Sequence, residues 1–404
     1  MSAPPGEAAG PEGVSLSTRL GWVSFFNDAS GEAITRLLPL YLAALGGPGL
    51  VGLVEGLAEA VALVLKAFSG WISDHLESRK PLVSAGYGLS ALAKVLMLLV
   101  GSPLLLGAAR VLDRTGKGLR GAPRDAMVAD AAKLGRLGRD FGVTRFLDTL
   151  GAVAGLLLAL ALGLGAVAVD AALFRRAVLW ALPAAAASVL LVLLWVPRIP
   201  RQGGRRRLDF GVPREIRAYL AIVLLFTLAA SSDAFLLLRG RELGLSLREL
   251  LLLLVPFNLL AALLALPAGR LSDRLGRLPF LLAGWTVYGL CYAAMGLAPG
   301  KGAFAAAFLV YGCFYGLTEG VEKALLGDLL RPEHRGTGYG AFQLAVGLGT
   351  LAASLLMGWM WSAWGSAAAF AVTAGVALLA TGLLGAWGRF RRPAPSPAPP
   401  PPRS

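Results

Sequence analysis

The chain has 404 residues, of which 56% are hydrophobic and only 15% are charged. A soluble domain carries about 25% charged residues, so this composition excludes an ordinary water-soluble protein and indicates that much of the surface faces lipid. The formal net charge is +14. Because most of the basic residues stand in short connections between apolar runs, without interleaved aromatic residues, the charge does not indicate nucleic-acid binding.

The ends of the chain differ in composition from its interior. Residues 1–15 are acidic and rich in glycine and proline, and they lack the basic start of a cleavable signal. Residues 389–404 are proline-rich. We expect both ends to be disordered.

The interior contains apolar runs that approach or exceed the roughly 20 residues needed to cross about 30 Å of hydrocarbon as a helix. The sequence therefore predicts an all-α membrane protein with twelve transmembrane helices. The predicted helices 1 to 12 cover residues 16–45, 50–75, 80–101, 103–123, 139–165, 173–196, 216–239, 247–272, 278–298, 302–330, 336–360 and 364–388.

A long, basic segment at 197–215, interrupted by proline and glycine, divides these helices into two groups of six. It predicts a linker between an N-terminal bundle over 16–196 and a C-terminal bundle over 216–388. Lysine and arginine concentrate in the connections on one side of the predicted bundle, the side that also holds the linker and both ends. By the positive-inside rule, this asymmetry predicts a multi-pass protein of a bacterial inner membrane with both termini in the cytoplasm.

The two groups of helices also repeat each other in sequence. Segments 70–82 and 269–281 share the pattern Gly-x-x-Ser-Asp-x-Leu at an offset of 199, and the same offset aligns Glu59 with Asn258. Further matches stand at an offset of 196, namely Arg139, Gly142, Phe146 and Gly151 with Arg335, Gly338, Phe342 and Gly347. Parallel repeats of this kind are typical of transporters whose binding site lies between the two halves.

The repeated segments resemble the loop signature of the major facilitator superfamily, Gly-x-x-x-Asp-Arg-x-Gly-Arg-Arg/Lys. The second copy retains most of that signature, in Gly269, Asp273, Arg274, Gly276 and Arg277. The first copy keeps Gly70, Asp74 and Arg79, but His75, Glu77 and Ser78 replace other signature residues. The resemblance implies that these segments form a gate, in which Asp74 and Asp273 hold one half of the protein against the other.

Two further elements extend this resemblance. Arg114, Lys117 and Gly118 resemble a motif of the family's helix 4. Gly151 and Gly155 resemble the helix 5 element of drug–proton antiporters, although a leucine stands where that element has proline. The resemblance implies a fold with helices 1, 4, 7 and 10 around a central cavity, and a transporter rather than an enzyme.

Ionisable residues inside a membrane are costly and therefore mark candidate functional sites. Here they concentrate on predicted helices 1, 2, 4, 5, 7 and 10. The candidate residues for binding solute or proton in the cavity are Asp28, Glu32, Arg36, Glu55, Glu59, Arg114, Lys117, Asp148, Asp233, Asn258, Glu319 and Lys323. The candidate gating residues are Gly70, Asp74, Arg79, Gly269, Asp273, Arg274 and Arg277.

Structural interpretations compete for some of these charges. Glu319 with Lys323, and Arg145 with Asp148, are close enough along a helix to form local salt bridges. Lys94 is the one charged residue of predicted helix 3 beyond Lys80 at its start, and it is expected to extend its amine to the membrane surface. Arg120, Arg124, Asp125 and Asp130 stand near the cytoplasmic mouth, where they would either close it or be solvated.

These observations predict proton-coupled transport of a small solute by alternating access, because a buried acid near arginine or lysine can bind and release a proton as its exposure changes. Acids on helices 1, 2, 7 and 10 favour an organic cation or drug as the solute, and the partial resemblance to antiporters favours export. The alternatives are an exporter of an inorganic cation such as iron or nickel, and a membrane sensor or enzyme that does not transport. We expect a monomer in the lipid bilayer, with the solute and protons as partners and with no cofactor, resident metal or nucleic acid.

The scarcity of histidine and cysteine counts against a metal centre. His75 and His334 fall in predicted loops, and Cys291 and Cys313 fall in apolar segments, so neither pair suggests a ligand cluster or a disulfide framework.

Overall fold

The computed structural model describes residues 14–98, 102–133, 135–162, 170–199, 212–231 and 233–390, and within these ranges the regular secondary structure is entirely helical. Most of the two predicted disordered ends, and the middle of the predicted linker, lie outside the described residues.

The helices form two groups along the chain. The first comprises α1 (Leu16–Ser73), α2 (Lys80–Leu96), α3 (Pro103–Ala131), α4 (Leu137–Ala161) and α5 (Ala171–Leu194). The second comprises α6 (Arg217–Thr227), α7 (Ala234–Glu242), α8 (Leu247–Leu275), α9 (Leu278–Gly296), α10 (Lys301–Leu329), α11 (Arg335–Trp364) and α12 (Ser366–Phe390). Short 3₁₀ turns at Arg214–Ile216 and Pro332–His334 precede α6 and α11.

Helix α1 contains two antiparallel spans. Arg110 lies 3.5 Å from the Thr35 hydroxyl and donates to the Glu55 carboxylate at 2.9 and 3.0 Å. In a straight helix, residues 20 positions apart would be separated by about 30 Å, so the chain reverses between Thr35 and Glu55. The sequence predicts a non-helical break near 46–49, but helical hydrogen bonding continues through these residues. We call residues 16–45 the first arm of α1 and residues 50–73 its second arm.

The predicted continuous helix 7, over 216–239, is wrong, because the helix breaks between Thr227 and Ala234. At the break, the Tyr288 hydroxyl on α9 donates to the Ala229 carbonyl at 2.7 Å. Ala230 and Ser231 in the break line a cavity. Irregular backbone is tolerated at membrane depth where it lines such a cavity or is buried in protein. The sequence did not indicate this break, because the hydropathy of the segment is high enough for a continuous membrane helix.

Counted as spans, the described helices form two six-span bundles, which confirms the predicted all-α fold. The first bundle holds the two arms of α1 and α2 to α5, and the second holds the interrupted α6–α7 pair and α8 to α12. Within the described residues, seven helices, α4, α5 and α8 to α12, are long and apolar enough to cross a membrane by length and composition alone. Outward-facing leucines such as Leu104 and Leu194, which are 83% and 82% exposed, supply the apolar outer surface.

The bundles contact each other mainly through two pairs of helices. The second arm of α1 packs against α11, and α8 packs against α4 in the same manner. Contacts of α4 with α10 and of α3 with α11 complete the interface. The two main pairs are equivalent under the sequence repeat, so the interface is pseudo-symmetric.

Candidate transport cavity and gate

One end of the bundle interface is closed by a carboxylate placed at a helix N-terminus. Asp74, directly after α1, accepts hydrogen bonds from the backbone N–H groups of Gly336 and Thr337 at 2.9 and 2.6 Å, and from the Thr337 hydroxyl at 2.8 Å. These N–H groups belong to the first turn of α11, which favours a negative charge. Arg79 donates to Asp74 at 2.7 Å. We call this arrangement the first clamp, and the end of the molecule where it lies the gate face.

A matching arrangement, the second clamp, joins α8 to α4. Asp273 accepts from the N–H groups of Gly138 and Arg139, both at 2.8 Å, and Arg277 donates to it at 2.6 Å. Each clamp arginine also reaches a second acid. Arg79 donates to Asp130, and Arg277 donates to Asp328 at 2.9 Å. The two clamps therefore use the same chemistry on opposite sides of the interface.

The structure fixes the register of the repeat. The starts of α2 and α9, of α3 and α10, and of α4 and α11 are all related by one offset, 198, as in Lys80 with Leu278 and Pro103 with Lys301. The sequence match at an offset of 196 between α4 and α11 is therefore displaced by two positions. Glycines recur at several short intervals in both helices, so a sequence comparison alone can select the wrong register.

Glycine lets the two bundles approach at backbone distance. A side chain built at Gly70 would collide with the backbone of Gly336 and Gly340, and one built at Gly269 would collide with that of Gly138 and Gly142. These contacts lie beside the clamp residues, so the gate is closed by main chain as well as by charge.

The candidate gating residues thus mostly meet at one face. Arg274 differs, because its side chain is exposed. The structure places the other six beside or within the two clamps, namely Gly70, Asp74, Arg79, Gly269, Asp273 and Arg277.

Beyond the gate, three adjoining cavities occupy the interior. The aromatic cavity, of about 260 Å³, lies in the second bundle and is lined by Phe226, Tyr288, Tyr311 and Tyr315. The central cavity, of about 380 Å³, lies between the bundles and shares Glu319 and Glu322 with the aromatic cavity. The first-bundle cavity, of about 210 Å³, shares Asp28, Lys117 and Arg120 with the central cavity. Together they form a continuous lining from one bundle to the other.

The aromatic cavity combines ring faces with acids. The rings of Phe226 and Trp285 stack with centroids 4.0 Å apart. The Trp285 indole N–H donates to Glu322 at 2.9 Å, and the Tyr315 hydroxyl donates to Asp233 at 3.3 Å. Aromatic faces beside carboxylates are a favourable environment for an organic cation.

Charged contacts cross the central cavity from one bundle to the other. Arg145 on α4 forms an ion pair with Glu319 on α10. Asp125 on α3 accepts from Lys323 and from Gln343, both at 3.0 Å. Nearer the gate face, Arg335 donates to Asp130 at 3.0 Å. All of these contacts, like the clamps, lie in the half of the molecule next to the gate face.

The candidate cavity residues divide into two sets. Those that line a described cavity are Asp28, Glu32, Arg114, Lys117, Asp148, Asp233, Glu319 and Lys323. The others lie elsewhere or are not described. Glu55 pairs with Arg110 at 2.9 Å, Glu59 lies 3.2 Å from Arg114, and the Asn258 amide donates to the Leu254 carbonyl. The side chain of Arg36 lies outside the described residues.

The ion pairs correct both proposed local salt bridges. Glu319 pairs with Arg145 rather than with Lys323, and Asp148 pairs with Arg124 at 3.2 Å rather than with Arg145. Tertiary packing overrides helix spacing here, because α4 and α10 face each other across the interface.

The expected position of Lys94 is also wrong. Its side chain is 4% exposed and lies 3.8 Å from Asp113, in the lining of the first-bundle cavity. Because α2 packs against α3, the face of α2 that carries Lys94 lies toward the interior of the bundle.

Sequence reasoning omitted several cavity residues from the candidate set. Lys66, Arg120, Arg124, Asp125 and Arg145 line the central cavity. Their charge was a usable signal, but their depth could not be judged without the packing. The tyrosines of the second bundle were missed because aromatic residues in a membrane helix are not unusual, although Tyr311 and Tyr315 are four residues apart and thus share a face.

Comparison with known proteins agrees with this architecture. The family model of the Major Facilitator Superfamily matches residues 20–239 and 218–404. An uncharacterized MFS-type transporter of Methanocaldococcus jannaschii is 33% identical over 354 residues, covering 85% of this chain and 87% of that protein.

Two solved structures share the fold. The human organic anion transporter MFSD10 superimposes with a TM-score of 0.77 at 16% identity, covering 91% of this chain and 98% of that one. The E. coli fucose:proton symporter also superimposes with a TM-score of 0.77, at 14% identity, covering 94% and 98%. The chain described here belongs to the Major Facilitator Superfamily of transporters.

Proposed function

We propose that this chain is a proton-coupled transporter that exports a small organic solute by alternating access. The main support is a continuous polar and aromatic cavity between two pseudo-symmetric bundles, with its interbundle clamps gathered at one face. Such a cavity can exchange contents with one side of the membrane while the clamps exclude the other.

The orientation in the membrane is inferred from the distribution of basic residues. The gate face holds the ends of the segments richest in lysine and arginine, including the residues around the linker, so we assign it to the cytoplasm. With this assignment, we interpret the structure as an outward-open state with the cytoplasmic gate shut. The helix 5 glycines Gly151 and Gly155, which resemble an antiporter element, favour export over uptake.

The Arg145–Glu319 pair supplies the coupling step in this proposal. It joins the two bundles within the cavity, and both side chains are about a third exposed, at 30% and 31%. A proton that enters from the open side and binds Glu319 removes the negative charge that holds Arg145. With this interbundle contact weakened, the clamps at the gate face can separate and the cavity can open to the cytoplasm.

Solute binding would then restore the outward-open state. The aromatic cavity contains the acids Asp233, Glu319 and Glu322 beside three tyrosines, which supports recognition of an organic cation. Because solute and proton share Glu319, binding of one favours release of the other, as antiport requires.

The proposal is tested by measuring the flux of ethidium, an aromatic cation, in proteoliposomes with an imposed proton gradient. We expect gradient-dependent ethidium movement with the wild-type chain and its loss in Glu319→Gln. Glu249→Gln is a matched control, since Glu249 is an exposed member of a capping box in which glutamine is also accepted. Flux in Glu319→Gln equal to that of the wild type would contradict the coupling role of this carboxylate.

A further inference from the structure

Three cations stand together where the central and first-bundle cavities meet. Lys66 is on the second arm of α1, and Lys117 and Arg120 are on α3; all three line the central cavity. Lys117 and Arg120 also line the first-bundle cavity. Within the described residues, no carboxylate oxygen lies within 4.0 Å of a side-chain nitrogen of these three cations.

The nearby acids are almost all occupied by other groups. Asp148 is bound by Arg124, Asp125 by Lys323 and Arg124, and Glu319 by Arg145. Asp113 lies beside Lys94 and Arg110, and Glu322 is bound by the Trp285 indole. Asp28 lines both cavities and accepts from Asn27 at 2.9 Å. Glu32 lines the first-bundle cavity as well, and Glu59 is bound by Arg114. Lys66, Lys117 and Arg120 therefore share this region with acids most of which are already bound to other groups.

Arg120 is held in position before any ligand arrives. Its guanidinium lies 4.6 Å from the centre of the Tyr87 ring and donates to the Ser90 hydroxyl at 2.8 Å. Lys117, by contrast, exposes its side chain to the cavity. A fixed guanidinium with an adjacent mobile ammonium is suited to an oxyanion, because the planar donor sets orientation and the ammonium adapts to it.

The repeat shows that this charge is not required by the fold. At an offset of 198, Lys117 corresponds to Tyr315 and Arg120 to Thr318. The backbone between them is equivalent, since Gly118 packs on Ala62 and Leu65 as Gly316 packs on Ala261 and Leu264. The second bundle thus builds the same helix contact without any cation at these positions.

We propose that Lys66, Lys117 and Arg120 form an anion subsite that binds a carboxylate of the transported solute. Uncompensated like charges at membrane depth are unfavourable, and a bound anion removes that cost. With the aromatic cavity adjoining on the other side, the solute class is an amphipathic zwitterion. Its carboxylate binds the first bundle, and its aromatic, cationic part binds the second. This inference rests on the proposed function, whose site it specifies further.

The test separates the subsite from the transport activity. Binding of norfloxacin, an aromatic zwitterion, and of its methyl ester, which lacks the carboxylate, is measured on the purified full chain by equilibrium dialysis. Because a charge-assisted hydrogen bond contributes roughly 1.5–3 kcal/mol, we expect the acid to bind at least about tenfold more tightly than the ester. The double variant Lys66→Gln/Lys117→Gln should lose this preference, and Lys66→Arg/Lys117→Arg should retain it.

The thermal stability of the ligand-free protein provides a second readout. Neutralising unpaired like charges should leave the melting temperature unchanged or raise it, whereas loss of structural ion pairs would lower it. Equal binding of acid and ester by the wild type, or a preference that survives in the glutamine variant, would overturn the subsite. Proton-driven flux is measured in parallel: a carboxylate preference without such flux would contradict the proposed function and leave the subsite standing.

Discussion

Positions related by the repeat offset of 198 on α2 and α9, and on α3 and α10, occupy equivalent places in the two bundles. At four of these positions, the first bundle holds a polar or charged residue and the second bundle holds a tyrosine. The corresponding pairs are Ser90 with Tyr288, Lys94 with Tyr292, Asp113 with Tyr311, and Lys117 with Tyr315. The glycines that let the helices pack are kept, as in Gly86 with Gly284 and Gly118 with Gly316.

This contrast separates scaffold from cavity. At several places where backbone meets backbone, both bundles have glycine at equivalent positions. Where side chains face the cavity, they differ, and we propose that the first bundle binds an anionic group and the second an aromatic, cationic one. A repeat protein can therefore retain its mechanical parts in duplicate while its binding surfaces diverge.

The largest effect is expected at the Arg145–Glu319 ion pair, which joins the two bundles across the central cavity. Glu319→Gln leaves Arg145 without its carboxylate, and breaking a buried ion pair costs about 3–5 kcal/mol. Since each side chain is about a third exposed, solvent screening lowers this cost in stability toward the roughly 1 kcal/mol of a surface pair. Because glutamine cannot take up a proton, we expect proton-driven flux in proteoliposomes to be lost. The exchanged pair Arg145→Glu/Glu319→Arg should restore binding of the bundles to each other but not coupling.

The two clamps can be compared directly. Asp74 accepts three hydrogen bonds from α11, and Asp273 accepts two from α4. We expect Asp74→Asn to open the gate face about tenfold more often, and Asp273→Asn to do so a few times more often, since each charge-assisted hydrogen bond is stronger than its neutral replacement. The measurement is the labelling rate, by a membrane-impermeant thiol reagent, of a cysteine introduced at Ala122, which is buried beside Gly70, or at Ala265, which is buried beside Gly142. A larger effect at Asp273 would contradict this ranking.

The aromatic wall should respond to the ring more than to the hydroxyl. Removing the ring in Tyr315→Ala should weaken ethidium binding about threefold to tenfold, because a cation–π contact contributes roughly 0.5–2 kcal/mol. Tyr315→Phe keeps the ring and loses only the 3.3 Å hydrogen bond to Asp233, so its effect should be smaller. Equilibrium dialysis of ethidium with each purified variant decides this, and equal losses in both would show that the hydroxyl matters most.

The smallest effect is expected at Lys94. Asp113 remains within 3.6 Å of Arg110 when Lys94 is removed, and the desolvation cost of the buried ammonium disappears with it, so Lys94→Met should leave the free energy of unfolding within about 1 kcal/mol of the wild type. Tyr292→Leu, at the equivalent position, removes a stacked ring and should destabilise more, by about 2–4 kcal/mol. Melting temperatures of the two variants in the same detergent provide the comparison.

The fold was largely readable from the sequence, because apolar length and two repeated loop segments constrain a membrane bundle strongly. The candidate site was readable only in part. Asp28, Glu319 and Asp233 were identified because charge is rare at membrane depth, but their partners depend on which helix faces they meet. Thus helix spacing suggested Glu319 with Lys323, whereas the interface pairs Glu319 with Arg145.

Other features left no mark in the sequence pattern. The interruption between α6 and α7 occurs in a stretch that is apolar enough for an unbroken helix, and at the break Tyr288 of a different helix donates to the Ala229 carbonyl. Similarly, Lys94 was expected at the periphery because predicted helix 3 carried no other charge beyond Lys80 at its start, and only the packing of α2 on α3 shows that it faces inward.

The glycine contacts beside the clamps have a consequence for leakage. Since the main chain at Gly70 rests on that at Gly336 and Gly340, and Gly269 rests on Gly138 and Gly142, no side chain there can rotate aside to admit a passing ion. A passage at this end requires the bundles to tilt apart as whole bodies. Thermal flickering of individual residues would then not dissipate the ion gradient, and the membrane would stay insulated between transport cycles.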